Sequence, residues 1–299
     1  MDPDRYLRWT RGALWSLTAI VVSGGAVRLT GSGLGCSDWP NCEEDRFVAD
    51  LEYHALIEFV NRLFTGVVAA AVILAVLGSR RRRPARPDLV RWSWGLVAGV
   101  LGQIVLGALL VRTELDPRFT MGHFLLSMVL LWNAVVLIER AKRDEPPPRA
   151  ERSGLVDLVR LVSAGGAVLL VSGTVVTGSG PHSGSDEPEV AARLPLLVRE
   201  VTRIHSLIAI GLLLLVIVTV RRAMADGRPE VAGRGAIVAG LLVVQGSVGY
   251  AQYFSGVPVL LVGVHITLAS LAWIAIVRLH LAAATVPVGR VAGVAEPVP

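Results

Sequence analysis

Three histidines of this 299-residue chain, His123, His205 and His265, fall inside long apolar runs. An ionisable side chain is costly in such a setting and, where it occurs, faces a bundle interior or a cavity. Each of the three lies one to two helical turns past the start of its run, and so do Glu58 and Glu200. With a rise of about 1.5 Å per residue, all five groups share one layer. Imidazoles at equal depth on different helices can clasp a haem iron from opposite sides, and His205 and His265 form such a pair in the second half. Interhelical hydrogen bonding is the plainer use of a buried histidine; three at one depth, two of them in one half, favour haem. His54 and His182, in connections, and His280, at a helix end, are expected to face water or lipid headgroups.

Glu58 opens the run EFVNRLFTG, which sets Asn61 at i+3 and Arg62 at i+4 on the same helical face. Two readings stand: a structural Glu58–Arg62 ion pair, or a carboxyl beside a bound substrate. Arg62 and Arg203 carry the planar fork that grips a carboxylate, which suits haem propionates. The only two cysteines, Cys36 and Cys42, sit in GSGLGCSDWPNC between the first two apolar runs. A disulfide, two separate thiols, and part of a metal site that two cysteines cannot complete are all open from the residues. An oxidising compartment favours the disulfide, as a staple over a site or as a redox pair.

These groups need scaffolding, and the composition says what kind. With 53% hydrophobic residues and a mean hydropathy of +0.59, the chain is too apolar for a soluble globular protein. Runs long enough to span a bilayer, about 20 residues each, occur at roughly 12–29, 55–78, 92–112, 120–139, 157–178, 200–220, 233–252 and 258–279. The expectation is an all-α integral membrane protein of eight transmembrane helices with no separate soluble domain. The first run follows a basic segment, as a signal peptide would, but no small-residue cleavage site is evident, so an uncleaved helix is expected. In a soluble protein the net charge of +5 would suggest nucleic acid. Here most of the 29 Lys and Arg fall on the side of the two termini, among them Arg80–Arg83 and Arg140–Arg143. The positive-inside rule then makes both termini cytoplasmic and the cysteine loop external. The basic stretches read as topology signals that touch anionic membrane lipid, and nucleic acid is not expected as a partner.

The two halves repeat. GQIVLG at 102–107 precedes MGHFLLSMVLLW at 121–132, and VQGSVG at 244–249 precedes GVHITLASLAW at 263–273. Gln103 to His123 and Gln245 to His265 are both 20 residues, and at the same offset of 142 Glu58 falls on Glu200. TGSG recurs at 30–33 and 177–180. A duplicated four-helix unit follows: residues 1–143, a Pro-rich cytoplasmic linker at 144–154, and residues 155–299. Four helices per copy is an even number, so the halves share one orientation, as pseudosymmetric bundles about a twofold axis along the membrane normal.

Five segments, GGAVRLTGSGLGCSDWPNC, IEFVNRLFTG, GHFLLSMVLLW, VTGSGPHSG and VHITLASLAW, together resemble the haem A synthase family, and the resemblance extends over all eight helices. That family oxidises a methyl group of haem O to a formyl group by successive hydroxylations. The resemblance implies Glu58 as the reactive glutamate, and His205 and His265 as ligands to haem b in a C-terminal bundle. It implies His123 as the histidine of an N-terminal substrate site, and Cys36 and Cys42 as the paired loop cysteines. Haem O synthase and cytochrome oxidase subunits are the protein partners it suggests. One departure stands out: the bacterial pattern has Glu-x-x-His in the second helix, whereas this chain has Glu58-Phe59-Val60-Asn61. Asn is a poor iron ligand, which leaves His123 with an open position on the other side of the iron. A di-haem electron-transfer cytochrome would place haems at both membrane faces, and the sequence offers no second histidine pair for that. A non-reacting haem carrier would give Glu58 no task. A tag placed in the Ser79–Arg83 connection is expected to be inaccessible from outside intact cells; labelling there would reverse the topology.

Overall fold

The computed structural model describes residues 1–43, 46–146, 152–185, 187 and 190–284. Among them are eight helices, each long and apolar enough to cross a membrane. They are α1 (Pro3–Leu29), α2 (Tyr53–Arg81), α3 (Pro87–Arg112), α4 (Pro117–Ala141), α5 (Gly154–Ser179), α6 (Val198–Ala225), α7 (Pro229–Phe254) and α8 (Val259–Ala283). The chain is an all-α, multi-pass membrane protein. The helices overrun the apolar segments, most of all in α1, where Arg5, Arg8 and Arg11 continue the helix below the span. Arginine is a good helix former, so loss of apolarity does not end a helix. Starts are set by local chemistry instead. Asp2 and Asp116 accept backbone N–H groups ahead of Pro3 and Pro117, and Ser153 caps α5. Of the linker expected at 144–154, residues 147–151 lie outside the described residues, as do residues 285–299 of the second half.

Each half closes a ring of neighbours, α1–α2–α3–α4 and α5–α6–α7–α8, and the halves meet through α4–α8, α1–α8 and α4–α5. Exchanging the halves leaves this pairing pattern unchanged, which is consistent with a twofold relation. Where α8 crosses α4, Trp273 Nε1 donates to the Met128 carbonyl at 2.8 Å.

Packing is uneven along the helix axes. In the end that carries the start of α1 and the end of α8, apolar side chains fill two cores: Leu89, Leu96, Leu131 and Leu137 in the first half, Val159, Val162, Val216 and Leu279 in the second. Toward the opposite end the same helices line a cavity. That opposite end is closed by connections that cross between the halves. Gly33 N–H donates to the Gly184 carbonyl at 2.8 Å, and a Cβ at Gly33 would sit 2.9 Å from that oxygen. Arg28, at the end of α1, donates to the carbonyls of His182 and Thr177 in the second half.

The basic run at 80–83 has a packing role. Arg82 is fully buried and donates to the Pro84 and Arg143 carbonyls and to Asp144 at 2.9 Å. It ties the α2–α3 connection to the end of α4. Its neighbour Arg83 is exposed. Arg82→Ala is therefore expected to destabilise the detergent-solubilised protein by roughly 2 kcal/mol, the range for charged hydrogen bonds, seen as a lower thermal midpoint. Arg83→Ala should leave the midpoint unchanged.

Candidate functional site

The cavity has a volume of about 1540 Å³ and reaches into both halves. Ligand pockets commonly run to about 300–1,000 Å³, so this one has room for more than one ordinary ligand. Glu58, Asn61 and His123 line it in the first half, His205, Gln245 and His265 in the second. Each of the three histidines sits in the second turn of its helix, Glu58 in that of α2. These four groups keep a common level, where the cores have given way to the cavity; Glu200, expected in the same layer, lies a turn nearer its helix end and outside the cavity lining.

In the second half the His205 and His265 rings face each other with centroids 6.5 Å apart. Two metal–imidazole bonds of roughly 2 Å, plus about 1 Å from each nitrogen to its ring centre, call for a separation near 6 Å. The rings are thus spaced to share one metal. Ser172 Oγ on α5 lies 2.8 Å from His205 Nδ1 and orients that ring. Gln245 Nε2 on α7 donates to the His265 carbonyl at 3.0 Å. Both rings lie against glycine: a Cβ on Gly173 or on Gly249 would come 3.2 Å from the Cε1 of His205 or His265. His265 Nδ1 is buried with no partner among the described residues. Two imidazoles so spaced on a cavity wall are a donor set that suits a bound metalloporphyrin.

The first half repeats part of this. Gln103 Nε2 donates to the His123 carbonyl at 3.1 Å and to Ser127 Oγ at 2.7 Å. His123 Nδ1 is likewise buried without a partner among the described residues. On the facing helix, α2, the one imidazole among the described residues is His54, in the first turn and bonded to Ser32 Oγ; the residue that lines the cavity is Asn61. There, Asn61 Oδ1 accepts from Ser23 Oγ on α1 at 2.7 Å.

Glu58 is 6% exposed and is held on both oxygens. Oε1 accepts from Arg62 at 2.6 and 3.1 Å; Oε2 accepts the Cys36 N–H at 2.8 Å. The other Arg62 nitrogen donates to the Asp38 and Asn41 carbonyls, both at 2.9 Å. Cys36 and Cys42 form a disulfide with Cα atoms 4.4 Å apart. A Cβ at Gly35 would lie 2.3 Å from the His54 carbonyl, so the loop seats flat on the first turn of α2. The ion pair is therefore real, and it docks the disulfide loop at the cavity wall. It also occupies four of the five Arg62 N–H groups. Glu200, which the repeat aligns with Glu58, differs: it is exposed and pairs only with Arg203, also exposed, at the cavity rim.

Three polar groups carry more of the site than the sequence reading gave them. Ser23 and Ser172 orient the facing side chains, and Arg28 is a half-buried guanidinium on the cavity wall. A serine in an apolar helix gives no signal of its own; Arg28, alone in an apolar run, does. The histidines expected to be solvated are each tied to the protein: His54 to Ser32 Oγ, His182 to the Val257 carbonyl, His280 to Ser163 Oγ.

The chain's sequence compares with known proteins as follows. The profile of the COX15-CtaA family, described as cytochrome oxidase assembly protein, matches residues 7–50 and 47–277. A protein of Geobacillus thermodenitrificans named heme A synthase is 28% identical over 137 residues, which is 45% of this chain and 43% of the relative. Proteins of the same name from Geobacillus kaustophilus and Bacillus pumilus are 30% identical over 142 residues and 31% over 120. The chain spans less than half the length of the curated relatives it matches. The family match covers nearly all of α1 to α8, and by it the protein belongs to the COX15-CtaA family of cytochrome oxidase assembly proteins.

Proposed function

We propose that this protein is a haem A synthase, which oxidises a methyl group of haem O to a formyl group and so supplies haem A to a cytochrome oxidase. The observation that carries the reading is the content of one cavity. One half sets a buried carboxylate and an imidazole on its wall, and the other holds two imidazoles spaced for a shared iron. The names of the relatives agree with it. In this reading residues 1–143 form the substrate bundle, 144–154 a cytoplasmic linker, and 155–299 the haem b bundle. The termini are cytoplasmic and the disulfide loop external.

Haem O enters the first half from the lipid, with His123 as its protein ligand. Two successive hydroxylations, each consuming one dioxygen with two electrons and two protons from an external donor and releasing one water, take the substrate's methyl carbon to the alcohol and then the geminal diol. Loss of water from the diol leaves the aldehyde. Glu58 stands at the reacting edge and exchanges protons through its carboxylate. Arg62 and the Cys36 N–H fix that carboxylate in place. The docked disulfide loop limits water at the same edge. Haem b, held between His205 and His265, supplies electron relay when bound. Arg28, Arg199 and Arg203 line the cavity with N–H groups available for propionates.

Expression with a haem O supply, followed by pigment extraction and chromatography, should yield haem A. Glu58→Gln keeps an acceptor for the Cys36 N–H, yet product should fall roughly a hundredfold or more, the scale of lost proton-transfer catalysis, with bound haem retained. Unchanged product would remove Glu58 from the chemistry. Separately, His265→Ala should abolish the low-spin haem spectrum; a normal low-spin spectrum in that variant would overturn the axial assignment.

A further inference from the structure

The two halves hold their facing side chains by one device with different occupants. On α5 and α6, Ser172 Oγ contacts His205 Nδ1 at 2.8 Å; on the equivalent helices α1 and α2, Ser23 Oγ contacts Asn61 Oδ1 at 2.7 Å. The opposing histidines are matched as well. The carbonyls of His265 and His123 each accept from a glutamine 20 residues earlier, and each Nδ1 is buried and unpartnered among the described residues. This correspondence assigns Asn61 the place across from His123 that His205 holds across from His265. A carboxamide is not among the side chains that ligate haem iron axially, which are His, Cys, Met and Tyr. What it does offer is two N–H donors. Ser23 takes up the carboxamide oxygen, which leaves those donors for the cavity that Asn61 lines.

We propose that Asn61 is a hydrogen-bond donor to a small ligand taken up on the face of the substrate haem opposite His123, with Ser23 as the residue that positions its amide. The inference rests on the reading that His123 holds that haem. Donors on the open side of a haem decide whether a small ligand is bound or activated. A half that keeps the scaffold of a two-histidine site but replaces one histidine by an oriented amide is built for that role. The other half, with both imidazoles present, is closed to ligands.

The test uses the full chain in detergent, loaded with ferrous haem, with carbon monoxide as the probe. The low-spin spectrum of the His205–His265 haem serves as an internal control for folding. The wild type should show a carbon monoxide-binding haem besides the low-spin one, and His123→Ala should lose only the former. Asn61→Leu should keep the adduct but shift its C–O stretch to higher wavenumber, because a donor to the bound oxygen atom is gone. Ser23→Ala should split the band between the two positions, as the amide loses its fixed orientation. Asn61→His should convert the site to low spin and abolish carbon monoxide binding. A C–O stretch indifferent to Asn61→Leu would overturn the role of the amide while leaving the His123 site intact. A wild type with no haem beyond the low-spin one would instead overturn the His123 reading, and this inference with it.

Discussion

A polar group buried in a bilayer has no water to turn to, so its partner must come from the protein. This constraint shapes the molecule more than any single motif. At the end that carries the termini it is met by exclusion: the cores are apolar, and the polar groups gather at their edge around Arg82 and Asp88. Toward the other end it is met by pairing. Gln103 and Gln245 each bridge to the carbonyl of a histidine on the next helix, and Ser23 and Ser172 each fix a side chain on theirs. Those bonds hold the helices apart around a cavity that apolar packing alone would have closed.

The same constraint explains the disulfide loop. Glu58 and Arg62 would be costly as separate charges at this depth, and a buried ion pair repays its desolvation only when further hydrogen bonds complete it. The loop backbone provides these: Cys36 N–H to the carboxylate, the Asp38 and Asn41 carbonyls to the guanidinium. The disulfide fixes the segment that offers these groups. Carboxylate, arginine and loop are one unit, and the two readings of the Glu58–Arg62 pair are not exclusive. A structural ion pair and a carboxylate on a cavity wall are the same atoms viewed from opposite sides.

Likeness and difference between the halves is the other theme. Both halves show a ring of four helices, a glutamine bridge to a histidine carbonyl and a serine that orients a side chain. They differ at the residue the serine orients, and at the acid near the start of α2 and α6, buried in the second turn of one and exposed in the first turn of the other. Similar helix rings thus carry unequal side chains at their cavity walls.

Eight spans, the cysteine pair, the layer of histidines and the repeat could all be read from the sequence. Each rests on composition or on spacing along a helix, where a rise per residue converts position directly into depth. Depth does not say which groups face each other, because that depends on helix rotation and on which helices are neighbours. At the offset of 142 that aligns the halves, Asn61 falls on Arg203; only the serine contacts set it against His205. In the same way Glu58 and Glu200 align as letters, yet a loop docked on one and solvent around the other make them unlike in kind. The sequence by itself determined the elements and the level of the site, because hydrophobic length and helical rise are local. The tertiary structure decided the partners, since hydrogen bonds between residues far apart in the chain exist only once the helices have packed.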